Sequence, residues 1–390
     1  MSRLALMASL ACALVFSGCT TVAKHTVAVP AQLFDDQAFP APTSFVSAAE
    51  AVALSPQMKR YLEVDIAPQI RRLGRQAGLV EALYSHAHLR LEYDTDVTRT
   101  AAEAFDARAG NCLSLVLMTA ALAKELSLPV SYQALVGQDV WQRSGDLSLV
   151  IGHVNVTVAK RLVDRVQGLM TGDMQLQLSF GNLPAGRSQL LRPVDEQTIL
   201  AMFMNNRAAE ALSRGDLADA YAFARESVVQ DPRFAGAYNT LGVAYQRRGL
   251  MAKAAQAYST ALERDADNLP ALANFANLLE SQQRQSEASV LRARLSKLEA
   301  EPPFMHLDLG RAAVQAGDYR AGRDHLLREL RRDPDYHESH FWLALALAGL
   351  GDAVGAQEQL TLAKKTSTTQ RDQALYARKL ERLQATTRPQ

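Results

Sequence analysis

A surplus of charge of either sign is absent from this 390-residue chain, in which 42 Lys and Arg face 41 Asp and Glu. The balance argues against a dedicated nucleic-acid binder, whose phosphate contacts leave a basic excess somewhere in the domain. Also missing are a phosphate-binding loop, a dinucleotide fingerprint and a Gly-x-Ser-x-Gly elbow, so no cofactor is expected. The histidines lack metal spacing. His86 and His88 are two apart on a predicted helix and do not share a face, while His337 and His340 lack a third ligand and read as an exposed helix end. Asp94 and Asp96 flank a threonine-rich turn and read as its caps. With 48% hydrophobic and 21% charged residues, disorder and a multi-span membrane protein are both disfavoured. The length asks for two or three domains.

Cysteine is scarce too, and the three present are informative by position. Arg3 precedes an apolar run from Leu4 to Phe16, followed by Ser17, Gly18 and Cys19. The run is shorter than the roughly 20 residues that span a bilayer and fits an export signal. Cysteine after Ser17-Gly18 resembles the lipobox of bacterial lipoproteins, with Phe16 where that pattern usually has leucine. The resemblance implies a lipid on Cys19 after removal of residues 1–18. Thr20 in place of aspartate implies an outer-membrane anchor facing the periplasm. Cys12 leaves with the signal, so Cys112 is the sole remaining thiol and has no internal disulfide partner. Residues 19–44, with Pro30, Pro40 and Pro42, read as an extended tether.

The C-terminal half repeats. Gly215, Gly249, Gly317 and Gly351 share a 34-residue register, with Gln283 in the remaining slot. Asp231, Asp265 and Asp333 share another, with Glu299 between. In the clearest unit, Ala235 to Asn268, the first helix carries Tyr238, Leu241, Gly242 and Tyr245, and the second carries Ala254, Tyr258 and Ala261. Spacings of three and four make each set one apolar stripe. Gly242 and Ala254 let paired helices approach, and the tyrosines and Trp342 read as core fillers. These features resemble the tetratricopeptide repeat (TPR) family over residues 201–370, as five units with a capping helix at Arg371 to Leu383 and a tail to 390. The fourth unit has Gly322 where others have alanine. The resemblance implies a groove for a protein or peptide. Arg328, Arg331 and Arg332 read as a solvated helix face.

Between residues 45 and 200 the pattern is mixed. A helix is expected from Pro56 to Tyr93 and another from Cys112 to Leu126, then strands at Val130 to Val136, Leu147 to Ala159 and Gln175 to Phe180. Gly110-Asn111 places Cys112 in a helix first turn, where free N–H groups and the helix dipole favour thiolate and could serve an oxyanion. A cysteine nucleophile wants a histidine base. His153 heads a strand whose valines at 154, 156 and 158 face one way while His153, Asn155 and Thr157 face the other.

Over residues 75–200 this arrangement is similar to the transglutaminase-like superfamily, whose papain-type core sets such a cysteine against a strand histidine. The family's orienting aspartate is replaced by Ser179 in Leu178-Ser179-Phe180, with Asp173 as an out-of-register alternative. The expected fold is an α+β transglutaminase-like domain followed by an all-α TPR superhelix. Two functions remain open: a cysteine hydrolase or acyltransferase on amides or esters, using Cys112 and His153 with Ser179, and a non-catalytic lipid-anchored scaffold for envelope or secretion assembly.

Overall fold

The computed structural model describes residues 27–84, 89, 91–94, 97–136, 140–144, 147–151, 153–160, 175–179, 190–298, 304–367 and 370–387. The export signal, Cys19, His86, His88, Asp96 and Asp173 lie outside these residues.

The long helix expected from Pro56 is cut into pieces. After α1 (Ala48–Ala51), capped by Ser47 and Glu50, come α2 (Pro56–Arg60), a π turn (Tyr61–Asp65), α3 (Ala67–Leu73) and α4 (Arg75–Tyr84). Pro68 has no N–H to continue a helical ladder and sits in the first turn of α3. Gly74 ends α3 with φ of 81°. Tyr93, the expected end of that helix, instead belongs to strand β1 (Glu92–Tyr93), which pairs in parallel with β2 (Ala109–Gly110) across α5 (Ala101–Ala107).

α6 (Cys112–Glu125) forms as expected. Its sequence is apolar all round, so it has no solvent face, and every residue from Cys112 to Ala123 is buried. On one side lies the antiparallel sheet β7-β6-β3-β8, formed by β3 (Val130–Val136), β6 (Val154–Ala159), β7 (Gln175–Ser179) and β8 (Leu190–Val194). Val154, Val156 and Val158 are fully buried. The expected strand Leu147 to Ala159 is two strands. Its first half, β5 (Leu147–Ile151), pairs with β4 (Val140–Ser144) in a separate ribbon that reaches the third repeat.

Five helix pairs follow: α7 (Glu196–Arg214) with α8 (Leu217–Gln230), α9 (Ala235–Arg247) with α10 (Met251–Arg264), α11 (Leu269–Ser281) with α12 (Gln285–Leu298), α13 (Met305–Gln315) with α14 (Tyr319–Arg332), and α15 (His337–Gly349) with α16 (Ala353–Thr366). α17 (Gln370–Thr387) packs on the last pair. The four register glycines turn with φ between 80° and 85°, and Gln283 takes the same left-handed conformation at 61°. A Cβ on Gly242 would lie 2.5 Å from the Tyr258 ring, so the close approach there requires glycine.

The N-terminal region is not walled off from the array. One continuous core runs from Leu33 through α6 and the sheet to Leu278 in α11, and a second, smaller core holds Phe304, Leu307, Val314, Leu326, Leu343 and Ala346. Between them α12 and α13 make at most marginal contact among the described residues, whereas the other successive helices from α7 to α17 pack.

Residues 27–45, read from sequence mostly as a tether, run as a strap over the first two repeats. Phe39 stacks on Tyr221 with ring centres 4.2 Å apart, and Phe45 packs on Phe223. Tyr245 donates its hydroxyl proton to the Leu33 carbonyl at 2.7 Å. Asp219 accepts the Thr43 and Ser44 N–H groups. The apolar residues Leu33, Phe34 and Phe39 give this proline-marked segment something to bury, which a free linker lacks.

Candidate functional site

The site begins with the turn that delivers Cys112. Arg108 closes α5 in the left-handed conformation, with φ of 51°. Glu92 and Asp94 donate their N–H groups to the Arg108 and Gly110 carbonyls. Gly110 has to be glycine, because a Cβ would fall 2.7 Å from the Ser114 Cβ. Asn111 then caps α6. Its Oδ1 accepts from the Ser114 N–H and Oγ–H, both at 2.9 Å, and its Nδ2 donates to Thr98 Oγ1 at 2.8 Å. The Thr98 peptide is held in turn by the first repeat helix: Glu210 accepts its N–H at 2.7 Å and Arg207 donates to its carbonyl at 3.0 Å. Asp94 pairs with Arg99 at 2.7 Å. The cysteine turn is therefore braced from α7.

Cys112 is 1% exposed. Burial pushes its thiol above the ordinary range, against the opposing pull of the Val154 and Leu113 N–H groups, the Tyr93 hydroxyl and its own N–H. The helix start was expected to favour thiolate, but desolvation outweighs dipole and donors. Tyr93 was not singled out in the sequence. A tyrosine in a two-residue strand has no motif around it, and only the β1–β2 pairing carries it to the sulfur.

The Val154 N–H directed at the sulfur places the head of β6, where His153 stands, beside the helix start. His153 is 5% exposed and burial lowers its pKa, so the imidazole is held neutral. Asn155, two residues on along the same face, opposes that shift. Asn155 is itself 1% exposed. The sequence places Asn155 on the His153 face of the strand and gives it no role. Ser179 pairs with Asn155 across the β6–β7 register.

The histidines of the last repeat differ from expectation. His340 is 6% exposed, donating from Nε2 to the Pro334 carbonyl at 2.9 Å and bonding Gln359 through Nδ1 at 2.7 Å. His337 bonds the Tyr376 hydroxyl at 2.8 Å. Rather than an exposed helix end, they knit α15 to α16 and α17. Arg328, Arg331 and Arg332 are exposed. Among the described residues no group of three or more His, Cys, Asp or Glu side chains could hold a metal ion, and no helix is long and apolar enough to cross a membrane.

No curated protein matches the chain. Among solved structures it is similar to YrrB, a TPR protein with an unusual peptide-binding site, at 20% identity and TM-score 0.25, covering 46% of this chain and 92% of that one. It is also similar to pilF of Pseudomonas aeruginosa (21% identity, TM-score 0.28, 47% and 91% covered) and to MamA from Desulfovibrio magneticus RS-1 (16%, 0.25, 44% and 96%). Residues 307–367 match the tetratricopeptide repeat family model, and the helix pairs on the 34-residue register extend that repeat across the C-terminal half.

Proposed function

We propose that this chain is a lipid-anchored envelope protein, held by Cys19 at the outer membrane and facing the periplasm, whose TPR array binds a protein or peptide partner. In this reading residues 45–200 keep a transglutaminase-like fold without its chemistry and serve as the end cap that orients the array. The observation that carries it is the state of Cys112: sealed from solvent, pushed toward the protonated thiol, and beside a histidine that burial keeps neutral. A nucleophilic cysteine works as the thiolate and must meet its substrate.

The test compares two sets of variants in cells. Cys112→Ala should leave the phenotype of the intact gene unchanged. Asn239→Arg with Asn274→Arg, on adjacent first helices joined by a 2.9 Å hydrogen bond, should abolish partner binding. A phenotype lost with Cys112→Ala in a stably folded protein reverses the reading.

The second reading, a cysteine hydrolase or acyltransferase on an amide or ester, is favoured by the three backbone N–H groups gathered at the sulfur. Cys112 would attack the acyl carbon, its proton passing to His153 and then to the leaving group. It requires opening of the site, and alkylation of Cys112 faster than an ordinary buried thiol between pH 5 and 9 is the result that would select it.

A further inference from the structure

The strap covers one edge of the array. Its contacts fall on Asp219 in the first turn of α8, Arg248 just past α9 and Lys253 in the first turn of α10. These are the helix ends joined by the Gly215 and Gly249 turns. Lys253 donates to the Gln32 carbonyl at 3.0 Å and Arg248 to the Ala38 carbonyl at 2.9 Å. Arg225 pairs with Asp36 at 3.0 Å and lies over the Phe34 ring, 4.8 Å from its centre. With Leu33 and Phe39 buried as well, residues 32–45 are held along their length.

We propose that this edge is the face the protein turns to the bilayer, and that the docked strap selects it by shortening the tether. The inference rests on the Cys19 anchor of the proposed function. From Cys19 to Val27, where the described strap begins, the chain extends to at most about 28 Å. A compact body of this chain's length is about 50 Å across. Turning it over lifts the start of the strap through that whole width, beyond the reach of the tether. A quarter turn lifts it by about half the width, nearly all that the tether supplies. Were residues 27–45 free, the chain from Cys19 to Ser47 would extend to about 100 Å, and every face could meet the membrane. The selection is steric and needs no attraction of charge. Val29 and Met251 are exposed at the edge it brings to the lipid.

The test uses the full lipoprotein in vesicles of phosphatidylethanolamine and phosphatidylglycerol that carry a rhodamine lipid, after mass spectrometry of its N-terminal peptide. A donor dye is attached at Ala252→Cys, in the first turn of α10, or at Ala266→Cys, just beyond its other end, both exposed positions. Cys112 is buried and Cys19 acylated, so the new thiol takes the dye. Energy transfer should be about twofold greater from position 252, because the two labels lie about 20 Å apart along the helix axis. A Gly-Ser insertion of about 30 residues before Val27, which leaves the strap docked, should bring the two efficiencies together. Phe39→Ala with Asp219→Ala, which frees the strap, should do the same. Equal transfer from both positions in the parent, or a difference that survives either change, overturns the proposal while the anchor stands. An N-terminal peptide without acyl chains removes the anchor itself, and the proposal with it.

Discussion

Repeats one to three and repeats four to five follow the same 34-residue register but are filled with different chemistry. In the first block Tyr238, Tyr245, Tyr258, Phe203 and Phe223 are fully buried, and their core is shared with α6, the sheet and the strap. The second block has its own small core. The register position of Tyr238 is taken there by His306 and His340, and that of Ala261 by Glu329. His306 and His325 meet Nδ1 to Nδ1 at 3.2 Å, and buried Glu329 accepts the Leu307 N–H at 3.2 Å. A repeat needs only to bury its own stripe against its neighbours, so one register tolerates an aromatic core in one block and a hydrogen-bonded one in the other. The blocks should accordingly differ in stability and in pH response, with the α12–α13 seam as the boundary.

The largest effect expected is loss of the aromatic core. Tyr245→Ala removes a fully buried ring and its bond to Leu33, and should cost about 3–5 kcal/mol in the first block. Denaturant melts followed by hydrogen exchange should show α7 to α11 and the α6 region losing protection together, while α13 to α17 keep theirs. Equal loss in both blocks would erase the boundary.

Next is the strap. Asp219→Ala strips the acceptor from the Thr43 and Ser44 N–H groups and should cost about 1–3 kcal/mol. Limited proteolysis should then cut near residues 35–45 before any site in the repeats. Unchanged cleavage would mean that the Phe39 and Phe45 ring contacts hold the strap without Asp219.

Acid should act on the second block through His337. Burial lowers the His337 pKa, against the pull of Asp372, Glu338 and Asp333, with His340 adding to the lowering. An unfolded histidine titrates near about 6.5. The stability of keeping His337 neutral is therefore complete above that pH and is lost as pH falls through the lower folded value. Asp333, pushed up by burial, works in the opposite direction at lower pH. Protection of α15 to α17 should fall between pH 7 and 5, and His337→Gln should flatten that fall.

Much of the array was legible because its signals are local. Turn glycines and stripe residues at fixed spacing set the helix pairs without knowledge of their neighbours. The strap was not, since Phe39 and Phe45 find Tyr221 and Phe223 nearly two hundred residues away, and the prolines between them mimic a linker. The turn holding Cys112 could be read from Gly110 and Asn111, whose roles are local. Burial of its thiol and the approach of Tyr93 depend on strand pairing, and the dipole argument had no means of weighing desolvation against it. The last-repeat histidines were misread as exposed because their partners, Gln359 and Tyr376, lie on later helices.

The smallest expected effect tests the register itself. Gln283 occupies the turn-glycine slot with φ of 61°, a conformation that costs an L-residue with a Cβ roughly 1–2 kcal/mol. Its backbone is held there by the N–H bond of Gln283 to the Glu280 carbonyl and of Arg284 to the Leu279 carbonyl. The same turn is made at Gly249 without that strain. Glycine also gains more freedom on unfolding, by about 0.5–1 kcal/mol, which offsets part of the relief. Gln283→Gly should therefore stabilise the third repeat by about 0.5–1 kcal/mol, read as a raised melting midpoint of the first block. Gly249→Gln should destabilise the second repeat, and a Gln283→Gly variant less stable than the parent would mean that its side chain, not the turn geometry, holds that repeat together.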